Sequence, residues 1–398
     1  MRRRHRKYIC LILLCGCCLA GCQAAPEEVK EAAENYNENV QMDEIEITKC
    51  DLEGVKNSVD EALQLQPNNM TLPASVDFSG IEEINELELA YQSDFIRKKE
   101  QVASIFGITD TNWQEPEMFL KNDRTVTLGD DTYALSVSDN GFFCAMLPDF
   151  YKIIQEDTTT LQRLYRIDEG DSTEDTCVLN GVQTTISEQV AYAGNWIDEL
   201  ELLNEDFEYC VKTVALRQDE TEKNALTMEI CKLYKGVMLD TCGGKIEFED
   251  NVGTLKTISS EFVVVLLQKD KIDYFTTTDG LLTVNEKNTL NELIDLPSAI
   301  RIVEKELSGF QTIHISDIEI IYELEPVYDS TEEKANRAEP GGKVIARPIY
   351  RFLIDREYED GGIGFIAGDT FNYFINVDMV TGEVDLNLDM SVYKQGDE

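Results

Sequence analysis

Hydrophobic positions recur at helical spacing in three separate stretches of the N-terminal part. Residues 51–65 and residues 84–106 place apolar side chains three or four positions apart, which predicts two amphipathic helices. Residues 187–203 show the same spacing. Ser187 is a candidate N-cap for this third helix, because its hydroxyl can accept a hydrogen bond from a backbone N–H of the first turn.

Short apolar, β-branched runs between turn residues predict strands in the rest of the N-terminal part. Single strands are expected at residues 125–128, 132–137 and 142–147. Two further pairs of runs predict antiparallel hairpins, at residues 207–216 with 225–234 and at residues 260–268 with 271–276. The apolar run at residues 262–267 is continuous, which is typical of a strand buried on both faces.

The C-terminal part has a simpler pattern, one helix followed by strands. Residues 293–307 have amphipathic spacing, and Pro297 is expected to break this helix early. Strands are expected at residues 314–324, 346–355, 371–378 and 383–388, the last two joined through Val380-Thr381-Gly382. Neighbouring strands with few helices between them predict an α+β class, mainly antiparallel sheets with a few packed helices. Residues 286–398 are expected to form a C-terminal helix-on-sheet module.

One short segment of that module resembles a known family. Residues 375–384 read Ile-Asn-Val-Asp-Met-Val-Thr-Gly-Glu-Val and resemble the closing hairpin of a PepSY domain, where an Asp and a Thr-Gly-Glu turn join two strands. The preceding helix fits that family's layout, whereas the insertion at residues 329–343 departs from it. PepSY modules inhibit or regulate peptidases and envelope sensors, so the resemblance implies binding rather than catalysis.

The first residues of the chain have the order of an export signal. Five basic residues precede a short apolar run at residues 8–14, and Leu19-Ala20-Gly21-Cys22 follows. This pattern resembles the lipobox of bacterial lipoproteins, and the whole chain resembles large uncharacterised lipoproteins of Firmicute-type bacteria. The resemblance implies a signal peptide at residues 1–21 and a lipid on Cys22 that anchors the protein to the extracytoplasmic face of the cell membrane. The alternative, a transmembrane helix, needs about 20 apolar residues, more than this run offers.

The charge of the chain limits its partners. Its 398 residues carry a formal charge of −42, which becomes −47 when the five basic residues leave with the signal. Nucleic acid is excluded as a partner, because its binding depends on Lys and Arg. Residues 22–47 are acidic and lack an apolar period, which predicts a flexible tether. The expected domains after the tether are an N-terminal α+β domain at 48–285 and the PepSY-like module at 286–398.

The cysteines suggest one disulfide. Six remain beyond the signal and Cys22, and no two of them form a CxxC pair: Cys50, Cys144, Cys177, Cys210, Cys231 and Cys242. Six cysteines allow 15 connectivities. A symmetric hairpin would place Cys210 opposite Cys231, near the separation that a disulfide needs. The alternative is two buried thiols.

Candidate catalytic chemistry is sparse. His314 is the only histidine beyond the signal, and no GxSxG or HExxH motif is present. The acidic residues 168–175 could chelate Ca²⁺ but lack the EF-hand order, so a solvated loop is preferred. We therefore expect no catalytic residue, metal or cofactor, and a non-catalytic binding or regulatory role with a protein partner at the envelope. The alternatives are a carboxylate-based cell-wall hydrolase and a small-molecule-binding lipoprotein.

Overall fold

The fold was obtained as a computed structural model, and the chain divides into two compact units, Met1–Glu46 and Ile47–Glu398. The structure describes residues 45–109, 112–114, 125–129, 133–150, 159–167, 171–219, 223–240, 246–247, 254–255, 262–277, 280–307, 312–327, 340–354 and 374–387. The predicted signal peptide, Cys22, Cys242 and nearly all of the predicted tether lie outside these ranges. The elements below belong to the second unit.

Strands are the main secondary structure of the described residues. The first eleven are β1 Lys49–Cys50, β2 Met70–Thr71, β3 Asn85–Tyr91, β4 Thr125–Gly129, β5 Ala134–Ser138, β6 Phe143–Met146, β7 Thr159–Arg166, β8 Thr176–Leu179, β9 Val182–Thr185, β10 Glu208–Asp219 and β11 Asn224–Tyr234. The others are β12 Val237–Asp240, β13 Ile246–Glu247, β14 Thr254–Leu255, β15 Phe262–Leu266, β16 Tyr274–Thr277, β17 Leu282–Thr289, β18 Leu293–Ile294, β19 Ile313–Pro326, β20 Lys343–Ile354, β21 Phe374–Asp378 and β22 Val384–Asn387.

The described helices are short. They are α1 Leu52–Asn57, α2 Val59–Ala62, α3 Lys99–Ile105, α4 Ile186–Asp198 and α5 Leu296–Glu306, with a 3₁₀ helix at Phe95–Lys98. Within the described ranges, no helix combines the length and the apolar character needed to cross a bilayer.

Helices α4 and α5 begin at residues other than those predicted. The Thr185 side chain accepts from the backbone N–H of Glu188, whose carboxylate accepts in return from Thr185 N–H, so Thr185 and not Ser187 is the N-cap of α4. Asp295 caps α5 through Ser298 N–H, and Pro297 lies in the first turn. The expected early break at Pro297 is wrong, because a first-turn proline gives up no intrahelical hydrogen bond.

Sixteen of the described strands join one mixed sheet. Its main path runs β17-β3-β20-β19-β12-β11-β15-β16-β6-β5-β4, while β2, β7, β10, β21 and β22 pair off this path. Two pairs among the described strands are parallel, β12 with β19 and β2 with β19. Three two-stranded pairs stand apart from it, namely β1-β18, β8-β9 and β13-β14.

The predicted α+β class is wrong, and so is the C-terminal helix-on-sheet module. The described chain is mostly β, with few helices beside the sixteen-stranded sheet. The physical reason lies in β20, which pairs with β19 along one edge and shares its other edge between β3 and β21. The C-terminal strands therefore belong to the same sheet as N-terminal strands. The backbone hydrogen bonds between β20 and β3 satisfy the donors and acceptors of both strands.

The helix predicted at residues 84–106 is also wrong at its start, where Asn85–Tyr91 form strand β3. In β3 the side chains alternate between buried Leu87, Leu89 and Tyr91 and the more exposed Glu86 and Glu88. This alternation has the period of two that a strand requires. Further along the segment, the 3₁₀ helix at Phe95–Lys98 and α3 are helical.

The predicted hairpins form as expected. Strands β10 and β11 pair in antiparallel fashion, and so do β15 and β16. All five residues of β15 are buried, which confirms that this strand is covered on both faces. On one side, Phe275 stacks on Phe143 with ring centroids 4.9 Å apart and contacts Phe262 at 5.3 Å. This aromatic group lies in a large apolar core beneath α3 and α4.

The turn between β21 and β22 has the geometry that its sequence suggested. Gly382 has a φ of +77°, a conformation that favours glycine. The Asp378 carboxylate accepts from the N–H groups of Val380 and Thr381 at 2.8 and 2.7 Å. The position of Thr381-Gly382 in this turn is confirmed.

Candidate functional site

The sheet around β20 has two unlike faces. Side chains at even-numbered positions from Val344 to Ile354 are all buried. Tyr350 on this face donates from its hydroxyl to the Ile294 carbonyl at 2.8 Å, and burial raises the pKa of that hydroxyl well above its ordinary value. Odd-numbered side chains of β20 point to the opposite face, because successive residues of a strand alternate.

That opposite face is rich in charged and amide side chains, and we call it the polar face. The strand registers place on it these charged and amide side chains, among others: Glu86, Glu88, Glu286, Asp317, Glu319, Glu323, Glu325, Asp385, Lys343, Arg347, Arg351 and Asn376. Six strands contribute these side chains, namely β3, β17, β19, β20, β21 and β22, so the polar face exists only in the folded sheet.

One end of the polar face is open to solvent. Glu286 lies directly opposite Glu88, and two like charges at that position repel each other. Lys343 donates to Glu88 Oε1 at 2.8 Å, and this hydrogen bond lowers the pKa of the Glu88 carboxyl below its ordinary value. Arg347 forms a second ion pair, with 3.2 Å between its Nη1 and Glu325 Oε2. Carboxylates still outnumber cations at this end.

The other end of the polar face contains a buried cation. Arg351 has none of its surface exposed, and its guanidinium lies 4.1 Å from the centre of the Phe374 ring. Its Nε donates to Asn376 Oδ1 at 3.2 Å. Four polar side chains lie side by side across the adjacent strands β19, β20, β21 and β22, namely Glu319, Arg351, Asn376 and Asp385. The Asn376 Nδ2 atom is buried, and no described residue accepts a hydrogen bond from it.

Sequence reasoning missed Arg351 and Asn376. A signal was present, because each is a polar residue inside an otherwise apolar strand run, Ile349 to Leu353 and Phe374 to Val377. A buried polar group in such a run requires hydrogen-bond partners from neighbouring strands. The sequence cannot say which strands those are.

His314 lies on β19 and is exposed. Its Nδ1 is 2.8 Å from the hydroxyl oxygen of Thr71, a contact that follows from the parallel pairing of β2 with β19. This arrangement orients the imidazole through a hydroxyl. No carboxylate contact to the ring is found within the described ranges.

The acidic segment at 168–175 is described from residue 171 onward. Its Asp175 carboxylate forms an ion pair with Arg163 and accepts from the Tyr165 hydroxyl at 3.1 Å. Burial, followed by this hydrogen bond, raises the pKa of Tyr165. Asp175 is therefore engaged in holding β7 to the start of β8. Across the part of the chain that is described, no group of three or more His, Cys, Asp or Glu residues has the arrangement of a metal site.

Cys210 and Cys231 occupy directly opposed positions of β10 and β11. The register predicted from the symmetric hairpin is confirmed, and a bond between the two sulfurs stays a prediction. Cys210 is exposed, whereas Cys231 has 3% of its surface exposed. Cys144 and Cys177 lie elsewhere, and burial raises the pKa of both thiols.

Comparisons with known proteins add a fold relationship. No protein-family model matches the chain, and no curated protein matches it. The chain is similar to an uncharacterised protein from Eubacterium rectale ATCC 33656, whose crystal structure was determined at 1.45 Å resolution. The TM-score is 0.51 and the identity 14%, over 84% of this chain and 99% of the other. At this identity the similarity shows the fold alone.

Proposed function

We propose that this protein is lipid-anchored on the extracytoplasmic face of the cell membrane and has a non-catalytic binding or regulatory role toward a basic protein partner. The observation that carries the proposal is the Leu19-Ala20-Gly21-Cys22 pattern after a basic and apolar start. A diacylglycerol on Cys22 would supply the two acyl chains that stable anchoring requires.

The charge of the mature chain supports a basic partner. A formal charge of −47 creates a negative potential that accelerates encounter with positively charged surfaces and disfavours acidic ones. The open end of the polar face concentrates part of this charge on a rigid sheet, where Glu86 and Glu286 are exposed. The buried Arg351 and Asn376 at the other end join β21 to β20, the strand that pairs with β3.

Anchoring is tested with Cys22→Ala. We expect this variant to incorporate no labelled palmitate and to leave the membrane fraction or remain unprocessed. Cys18→Ala is the matched control, because it removes a thiol from the signal peptide and leaves Cys22 in place. Palmitate on the Cys22→Ala protein at the wild-type level would show that the lipobox interpretation is wrong.

Binding is tested on the anchored protein in its own membranes, with the cross-linked partner identified by mass. The double variant Glu86→Gln and Glu286→Gln removes two exposed carboxylates from the polar face. Asp60→Asn with Glu61→Gln, on α2, removes the same charge from another exposed site. We expect weaker cross-linking in the first variant only, and a loss of wild-type cross-linking as salt is raised. Equal cross-linking in both variants would argue against the polar face.

A further inference from the structure

Cys231 lies at the residue where β11 changes its sheet partner. Residues 226–230 of β11 pair with β15, whereas residues 232–234 pair with β12. Strand β12 in turn pairs in parallel with β19, which leads to β20 and the C-terminal strands. Cys231 therefore marks the seam between the two halves of the large sheet.

Cys210 lies on β10, which pairs with the other edge of β11 and places Cys210 directly opposite Cys231. Strand β7 pairs with β10 only from Thr213 to Asp219. In the described part of the sheet, the stretch of β10 that contains Cys210 thus has β11 on one side and no strand on the other. This placement accounts for the exposure of Cys210 beside the buried Cys231.

Aromatic contacts at the seam connect the same segments. Phe207, just before β10, contacts Tyr234 at 6.2 Å between ring centroids, and Tyr234 contacts Tyr322 of β19 at 6.3 Å. The Lys232 ammonium lies 5.0 Å from the centre of the Phe207 ring. A link between Cys210 and Cys231 would hold the start of β10 onto this aromatic cluster.

We propose that Cys210 and Cys231 form a disulfide-exchange site in which Cys210 reacts first and Cys231 resolves. Opposed residues on antiparallel strands have Cβ atoms at separations that a disulfide can bridge. Cys210 is the sulfur that a solvent-borne reagent can reach, and attack requires an accessible thiolate. The buried Cys231 is adjacent to Cys210 but shielded from the reagent.

The exchange uses a disulfide oxidant, either an oxidised dithiol protein or oxidised glutathione. The Cys210 thiolate attacks one sulfur of the oxidant, whose disulfide breaks and releases one thiol. The Cys231 thiolate then attacks the Cys210 sulfur of the mixed disulfide and releases the second thiol. Two protein thiols are oxidised while one oxidant disulfide is reduced, and their two protons go to the released thiols. The supply of oxidant in the cell rests on the proposed extracytoplasmic location.

The order of reaction is tested on the purified full-length chain with oxidised glutathione and mass spectrometry. In the wild-type protein, a disulfide should join the peptide that contains Cys210 to the peptide that contains Cys231. Its formation lowers the mass of the pair by two hydrogens. Cys231→Ser should retain glutathione on Cys210, because the resolving thiol is gone. Cys210→Ser should acquire no glutathione at Cys231. Cys177→Ser is the matched control and should form the disulfide between Cys210 and Cys231 as the wild type does.

Two outcomes would overturn the exchange site. One is stable glutathione on Cys210 in the wild type without closure, and the other is glutathione on Cys231 in Cys210→Ser at the rate seen for Cys210. Circular dichroism confirms that each variant is folded before the comparison. Closure of the purified protein together with reduced thiols in acid-trapped cells would support the exchange site and contradict the extracytoplasmic location, so the two proposals can fail separately.

Discussion

The guanidinium of Arg351 is joined to the side-chain amide of Asn376 by a hydrogen bond from Nε to Oδ1, 3.2 Å long, between neighbouring strands β20 and β21. Arg351 also covers the Phe374 ring at 4.1 Å and is fully buried. A buried charge of this kind is stable only when its partners are held in place. The pair therefore connects the hydrogen bonding of the polar face to the packing of Arg351 on the Phe374 ring.

Replacing Arg351 should therefore cost stability. We expect Arg351→Ala to lower the free energy of unfolding by about 2–4 kcal/mol, since it removes the packing on Phe374 and leaves Asn376 Oδ1 without its donor. Arg347→Ala is the control, because Arg347 is half exposed and its ion pair with Glu325 is worth under about 1 kcal/mol. Urea unfolding of both variants measures the difference, and equal losses would contradict this role for Arg351.

A second prediction separates backbone strain from packing at Gly382. A side chain there would adopt a φ of +77°, and its Cβ would lie 3.2 Å from Ile294 Cδ1 and 3.3 Å from Ile302 Cδ1. Gly341 has a φ of +74° with no atom within 4 Å of such a Cβ. We expect Gly382→Val to destabilise by about 1–2 kcal/mol more than Gly341→Val, because only the first also overpacks the core.

Thermal unfolding of the two valine variants provides this comparison. Both should be less stable than the wild type, because a β-branched residue is disfavoured at positive φ. An equal loss in the two variants would mean that the isoleucine contacts yield without cost.

The N-terminus of α4 gives a third prediction. Thr185→Ala should lower stability by about 1 kcal/mol, because it removes the hydroxyl that accepts from Glu188 N–H at 3.1 Å. Ser187→Ala, at the residue that the sequence suggested as the cap, should change stability by under about 0.5 kcal/mol. Thermal melts followed by circular dichroism measure both. A larger loss for Ser187→Ala would reverse the assignment of the cap.

The Lys343–Glu88 pair predicts a titration effect. The folded-state pKa of Glu88 is lowered, first of all by the hydrogen bond from Lys343. A depressed carboxyl pKa contributes stability above the unfolded-state value, and that contribution is lost as pH falls through the folded-state value. Lys343→Met should therefore raise the Glu88 pKa toward its ordinary value, as measured by NMR titration of the side-chain carboxyl.

Arg347→Met serves as the control for this titration. Arg347 pairs with Glu325 rather than with Glu88, so its removal should leave the Glu88 pKa close to that of the wild type. A shift of the same size in both variants would indicate a general field effect of the polar face instead of a specific pair.

Local pattern was sufficient wherever partners are close in sequence. The opposition of Cys210 and Cys231 followed from a symmetric hairpin, and the two-sided burial of β15 followed from its continuous apolar run. The turn at Thr381-Gly382 followed from turn chemistry. In each case the deciding interactions join residues a short distance apart along the chain, where periodicity and turn preference act directly. The lipobox at Cys22 is likewise a prediction of the sequence alone, outside the described residues.

Tertiary structure decided what depends on distant partners. Residues 85–91 have apolar positions compatible with a helix, yet they form β3 because β17 and β20 supply the backbone hydrogen bonds of a strand on both edges. The same pairing carries the C-terminal strands into the N-terminal part and makes the α+β expectation wrong. It also assembles the polar face and buries Arg351. Such pairings join residues hundreds of positions apart, as Lys343 and Ala90 do, and no local periodicity specifies which strand edge will meet which.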